Sequence, residues 1–152
     1  MKDFIQSNGM CGPTSLRIAL SQFGINYSEE SLAELCKSTK EEGTSHVNLA
    51  KAVGELGGSV WIVEGLTPDQ SLRVMKKLML MGKIIIVGWF KNDEKGGEEH
   101  YSVVKDFDDE SIYLIDPEVV DDVKMTLKDF IPVWYDSENN RRQWHWFMGI
   151  DF

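Results

Sequence analysis

Cys11-Gly12-Pro13-Thr14-Ser15-Leu16, with Gln6 five residues ahead of it, decides how the rest of this chain is read. Leu16, Ala19, Leu20 and Phe23 carry the segment on at helical spacing, and Gly24 ends it. Cys11 therefore stands at the start of a helix. Pro13 is tolerated there because its missing N–H has no intrahelical partner to lose. A helix N-terminus favours negative charge, and the thiolate is the reactive form of cysteine. Gly12 is read as leaving room for a substrate backbone to approach the sulfur.

A sulfur nucleophile needs a base, the base needs an orienting acceptor, and the oxyanion needs a donor. His100 is the candidate base: it follows a polar loop and opens a strand. His46, near a helix start, and His145, between Trp144 and Trp146, lack a downstream carboxylate placed as Asp116 is. Asp116-Pro117 closes the next strand, although Asp-Pro is also a common turn dipeptide. In a hairpin, His100 and Asp116 share a face only if facing residue numbers have an even sum. A two-residue turn at Asp108-Asp109 makes that sum odd, so the pairing demands an odd loop or a bulge. Gln6 offers side-chain N–H donors near Cys11 and, with the Cys11 backbone N–H, is the candidate oxyanion site.

Working outward, Ser28 opens a second helix with Glu29 and Glu30 in its first turn. Thr44 or Ser45 opens a third, with Leu49, Val53 and Leu56 on one face and Gly57-Gly58 as its stop. Ser59 to Glu64 reads as a strand. Thr67-Pro68-Asp69-Gln70 starts a helix that runs to Met81 and stops at Gly82. Met75, Met79 and Met81 are expected to fill core gaps. Lys83 to Phe90 is a buried-type strand, 92–99 a loop, and Tyr101 to Phe107 and Ser111 to Ile115 are strands. Trp134 to Phe152 is expected to hold a final strand. Helices first and sheet second predict an α+β fold, a helical lobe packed on an antiparallel sheet. The 152 residues suit one domain, 1–152.

Hydrophobic residues make up 42% and charged residues 27%, ordinary for a soluble globular chain. The net charge of -9 argues against nucleic acid or an anionic membrane as partner and favours basic peptides. Met1 to Gln6 is no signal peptide, and the run around Ile84 to Val87 is too short to cross a membrane. A cytoplasmic protein is expected. Of the two cysteines, Cys36 completes the apolar set Leu32, Leu35, Cys36 and reads as a small buried hydrophobe, although spacing does not exclude a disulfide to Cys11. Zinc on Cys11, His100 and Asp116 is conceivable, but the helix-start cysteine and Gln6 fit thiol chemistry better. Neither a metal nor a cofactor is expected.

Gln6 with Cys11 to Leu16, His100-Tyr101-Ser102-Val103-Val104 and Ile115-Asp116-Pro117 resembles the papain-like cysteine peptidases of the bacteriocin-leader-processing, double-glycine type. Gly43-Thr44-Ser45 with Leu49, and Val87-Gly88-Trp89 ahead of the histidine loop, are similar to that family as well. The resemblance implies a papain-like fold with Gln6, Cys11, His100 and Asp116 as oxyanion donor, nucleophile, base and orienter. The transporter-linked members cut leaders after two glycines; this chain carries neither their membrane segments nor their ATPase part. Its own Gly57-Gly58 reads as a helix stop and Gly96-Gly97 as loop. The expected function is cleavage of a peptide or amide bond through a thioester, with a peptide or protein as partner. Acyl transfer to an amine by the same residues, and a non-catalytic peptide-binding module, are the alternatives.

Overall fold

The computed structural model describes residues 4–7, 9–93, 96–138 and 141–152. Three helices come first: α1 (Cys11–Ser21), α2 (Glu29–Leu35) and α3 (His46–Glu55). Local caps start two of them. Ser28 Oγ accepts from Ser31 N and Ser45 Oγ from Asn48 N, each satisfying an N–H that the first turn leaves orphaned. Gly57, at φ +91, supplies the left-handed residue after α3.

The strand β1 (Ser59–Val63) and helix α4 (Pro68–Leu80) follow. A reciprocal box between Thr67 and Gln70, with Pro68 in the first turn, opens α4 as expected. Then come β2 (Ile84–Asp93), β3 (Gly96–Phe107), β4 (Ser111–Ile115), β5 (Val123–Thr126), the single turn α5 (Leu127–Phe130), β6 (Tyr135–Glu138), β7 (Arg141–Trp144) and β8 (Phe147–Asp151). Six strands form an antiparallel sheet in the order β1-β8-β2-β3-β4-β5, and β6-β7 make a separate ribbon. The last strand is thus inserted between β1 and β2.

Three expectations need correction. Residues 92–99 are not a plain loop, because the β2–β3 ladder runs out to Asp93↔Gly96. The aromatic tail holds three strands rather than one. Met81 is 59% exposed, whereas Met75 is fully buried and Met79 packs against the core. Met81 is the cap residue that follows the last turn of α4, beside the exposed end of the helix at Leu80.

Both faces of the sheet are covered. Ile86, Val103, Ile115, Met148 and Ile150 join Leu16, Leu20, Leu32, Leu49 and Val53 of α1–α3. Ile85, Val87, Trp89, Val104, Ile112 and Leu114 join Met75 and Leu78 of α4, with Phe130 and Trp134. Strand alternation produces this division, and each fully buried aliphatic side chain contributes about 1.5–3 kcal/mol. Cys36 lies in the first cluster as a free, buried thiol, and Cys11 is free too. No helix among the described residues is long and apolar enough to cross a membrane.

The β3–β4 hairpin sets the next level. Phe107 faces Ile112 and Asp106 faces Tyr113, but Val104 faces Leu114 and Val103 faces Ile115. Lys105 is the extra residue of a β-bulge.

Candidate active site

Cys11 is the first residue of α1, half-buried, and Met10 before it gives no side-chain cap. The first-turn N–H groups of α1 are thus not taken up by a capping side chain. Two bonds lock the helix in place. Ser15 Oγ donates to the Tyr101 carbonyl at 3.1 Å, beside His100, and Thr14 Oγ1 donates to Glu29 Oε2 at 2.5 Å. Gly12 has a different reason from the one its sequence suggests. A Cβ there would lie 2.5 Å from Thr44 Oγ1, so the loop before α3, not a substrate, requires glycine. The Tyr101 hydroxyl donates to the Thr44 carbonyl at 2.9 Å and fixes that loop to β3.

His100 pairs with Trp89 across β2–β3, so the two share a sheet face. The Trp89 ring meets the imidazole edge-on at 5.8 Å, and its Nε1–H donates to Ser102 Oγ at 3.0 Å. The bulge at Lys105 brings Asp116 to this face as well. His100 Nε2 lies 2.8 Å from Asp116 Oδ1, both side chains buried. Burial alone would push the imidazole down; hydrogen bonds to Asp116 and Cys11, and their charge, outweigh it and raise His100 to about 9. Burial would likewise raise Asp116, but His100, the Glu118 N–H and Lys91 hold its carboxyl down at about 2. Burial, then the charge of Glu55, pushes Cys36 up to about 12, the opposite of a reactive thiol.

Gln6 is tied to the same place through its backbone, whose N–H donates to the Pro117 carbonyl at 2.7 Å. Its Nε2 makes a long 3.3 Å bond to the Ser7 carbonyl, and Oε1 is buried with no hydrogen bond among the described residues. An amide nitrogen carries two N–H donors, so this one bond leaves Gln6 a second donor. Gln6, Cys11 and His100 line a cavity of about 470 Å³ whose other walls include Glu98, Glu99 and Glu118.

Sequence reasoning missed three features. Lys91 Nζ sits 3.0 Å from Asp116 Oδ2 and 3.6 Å from Glu118 Oε2, and Glu118 Oε1 lies 3.2 Å from His100 Nδ1. Strand parity carried the signal for Lys91, two residues beyond Trp89 on the same face. His46 has its own carboxylate: its Nε2 is 2.5 Å from Asp136 Oδ2, with the ring stacked 3.9 Å from Trp146. Partial burial, then the hydrogen bond and charge of Asp136, raise the nearby Glu99 to about 7. His145 is structural, its Nδ1 2.7 Å from the Leu66 carbonyl. Oxygens of Glu98 and Glu118 and a nitrogen of His100 lie within 4.8 Å of one another and could hold a cation. A cation bound there would take a ring nitrogen of His100.

The model of the Peptidase C39 family matches residues 5–137. An uncharacterized protein of Methanothermobacter marburgensis is 33% identical over 113 residues, 74% of this chain and 68% of that protein. Among solved structures, the peptidase domain of Streptococcus ComA, a bifunctional ABC transporter of a quorum-sensing pathway, superposes with a TM-score of 0.71 at 24% identity, covering 97% of this chain and 94% of that one. A C39-like protein of Bacillus anthracis gives 0.72 at 20% identity, with 98% and 94% covered. A double-glycine-motif protease from an AMS/PCAT transporter, in complex with its leader peptide, gives 0.66 at 18% identity, with 97% and 87% covered. The fold is papain-like, and the family match extends from Gln6 through His100 and Asp116 to the β6 strand: this cysteine-peptidase-like chain belongs to the Peptidase C39 family.

Proposed function

We propose that this protein is a thiol peptidase that cleaves a peptide or amide bond through Cys11, His100, Asp116 and Gln6. The observation that supports it most is the buried imidazole of His100, its Nε2 2.8 Å from Asp116 Oδ1, on the wall of a cavity that Cys11 and Gln6 also line. Transfer of the thiol proton to the imidazole gives a thiolate–imidazolium pair, the form in which sulfur is nucleophilic. Nε2 is committed to Asp116, which leaves Nδ1 for the thiol.

The steps follow from that placement. His100 takes the Cys11 proton, and the sulfur attacks the carbonyl carbon. The oxyanion accepts from the Cys11 backbone N–H and the Gln6 amide. His100 gives its proton to the leaving nitrogen as the C–N bond breaks, leaving a thioester. Water, deprotonated by His100, then cleaves the thioester and regenerates the thiol. Asp116 keeps the ring oriented throughout. The substrate is a peptide, the class found on the leader-bound transporter protease of the same fold. Cleavage after paired glycines is not part of this reading.

The test is selective alkylation with iodoacetamide, read by mass spectrometry, alongside cleavage of a mixed peptide library. Cys11 should be modified far ahead of Cys36; Cys11→Ser should abolish cleavage while leaving the melting temperature nearly unchanged, and His100→Ala should abolish it with a lowered melting temperature, because buried Asp116 loses its partner. Cleavage that survives Cys11→Ser, or modification of Cys36 first in the folded protein, would sink the assignment. An added amine appearing in the product would redirect it to acyl transfer.

A further inference from the structure

His100 presents both ring nitrogens to carboxylates. Nε2 is 2.8 Å from Asp116 Oδ1, and Nδ1, the nitrogen left for the thiol, is 3.2 Å from Glu118 Oε1. Glu118 is not a stray surface acid. Its backbone N–H donates to Asp116 Oδ1 at 2.8 Å, so the carboxylate that orients His100 also fixes the Glu118 backbone. Lys91 lies between the two acids, 3.0 Å from Asp116 Oδ2 and 3.6 Å from Glu118 Oε2. The Glu118 side chain is 30% exposed and reaches into the cavity that holds Cys11 and Gln6.

We propose that Glu118 is a positioning residue for His100: it shares the Nδ1 proton with the Cys11 sulfur and steadies the imidazolium, while Lys91 clamps its carboxylate to that of Asp116. The proposal rests on the thiol-peptidase reading above. Burial and the Trp89 ring confine the imidazole. The Glu118 carboxylate beside Nδ1 adds a negative charge that favours a proton on the cavity side, where the leaving nitrogen must collect it. The neighbours of His100 supply opposing charges. Cys11 comes from the start of α1, Glu98 from β3 itself, Asp116 and Glu118 from the end of β4 and beyond, and Lys91 from β2. Glu118 and Lys91 should therefore act on His100 with opposite signs, as a purely structural pair would not.

The experiment follows the His100 ring by NMR across pH, with EDTA present so that no stray cation binds Glu98, His100 and Glu118. It needs no substrate. In Glu118→Gln, a change that keeps size and shape, the His100 midpoint should fall by about half to one pH unit, the scale of a partly screened opposite charge near a titrating group. Glu118→Asp should recover part of the loss, and Lys91→Gln should move the midpoint upward. Melting temperatures identify any variant that fails to fold. If Glu118→Gln leaves the midpoint in place while Asp116→Asn lowers it, Glu118 does not position His100 and the thiol-peptidase reading survives. If His100 of the unmodified protein titrates at or below the ordinary histidine value, both fall together.

Discussion

Asp116→Asn is the sharpest perturbation of the site, because it removes one charge and almost no volume. The structure fixes the size of the effect. Raising His100 from 6.5 to about 9 corresponds to ~3 kcal/mol of preference for the imidazolium at 1.36 kcal/mol per pH unit, and both partners are buried, so solvent does not erase it. Part of that belongs to Cys11, which leaves about 1–2 kcal/mol for Asp116. The sign follows from linkage. A histidine raised in the folded state contributes stability that is complete below 6.5 and is lost as pH climbs through its folded value. With the thiol present this loss is masked. The native thiolate–imidazolium pair and the unfolded thiol with neutral histidine each hold one proton near neutrality, so neither gains on the other. The measurement therefore belongs in Cys11→Ser, by urea unfolding at a series of pH values. Unfolding free energy should drop by about 1–2 kcal/mol between pH 6.5 and 9. In Cys11→Ser with Asp116→Asn the drop should largely disappear, because burial then pushes His100 down with only the partly exposed Glu118 carboxylate to oppose it. Glu99, raised to about 7, also sheds stability as pH rises from 4.5, but it does so in both proteins and cancels in the difference. An unchanged pH slope in the double variant would refute the claim that Asp116 holds the imidazolium.

Two further outcomes follow from the site's geometry. Gln6→Ala should lower the maximal cleavage rate by roughly one hundred- to one thousandfold, the cost of one lost oxyanion donor, and leave the alkylation rate of Cys11 nearly unchanged; unimpaired turnover would make Gln6 a packing residue. Gly12→Ala would set a methyl 2.5 Å from Thr44 Oγ1 and 2.7 Å from Thr44 Cβ, so unfolding should become easier by about 1–3 kcal/mol, with recovery in Gly12→Ala/Thr44→Gly; a stable single variant would contradict the packing argument.

What was legible in the sequence is what local chemistry writes. Ser28, Ser45 and Thr67 start helices through bonds to residues three positions on, a span that any window of sequence contains. The alternation that divides the sheet between two clusters is equally local. Contacts through space left no such mark. Asp136 reaches His46 across ninety positions and Lys91 reaches Asp116 across twenty-five, so both acid–base contacts stayed hidden. Gly12 misled for the same reason. The glycine was visible, but the Thr44 side chain that demands it comes from another loop. The insertion of β8 between β1 and β2 is a property of the closed sheet, and no segment of the tail encodes it alone.

The β3–β4 hairpin shows how far a parity argument can reach and where it stops. The demand for an odd loop or a bulge came from the chemistry required of His100 and Asp116, not from any residue in the turn. The turn itself lies one position later than expected. Asp108 N donates to the Ser111 carbonyl at 2.9 Å, and Asp108 Oδ1 accepts from Glu110 N and Ser111 N at 2.8 Å, leaving Asp109-Glu110 at the tip. This ladder still has an odd sum at Phe107↔Ile112 and would set Asp116 on the face away from His100. Lys105 alone converts it to the even sum at Val103↔Ile115. Nothing in the side chain of Lys105 announces a bulge. It is exposed, and its ammonium pairs with Asp122 at 2.5 Å in solvent. The bulge falls there because the apolar residues on either side must keep their faces: Val103 and Val104 are buried in opposite clusters, and so are Ile115 and Leu114. A turn fixed by Asp108 and a core fixed by these four residues disagree by one position, and the extra residue between them absorbs the difference. The register that joins base to orienter is thus set by core packing at the near end of the hairpin, not by turn chemistry at the far end.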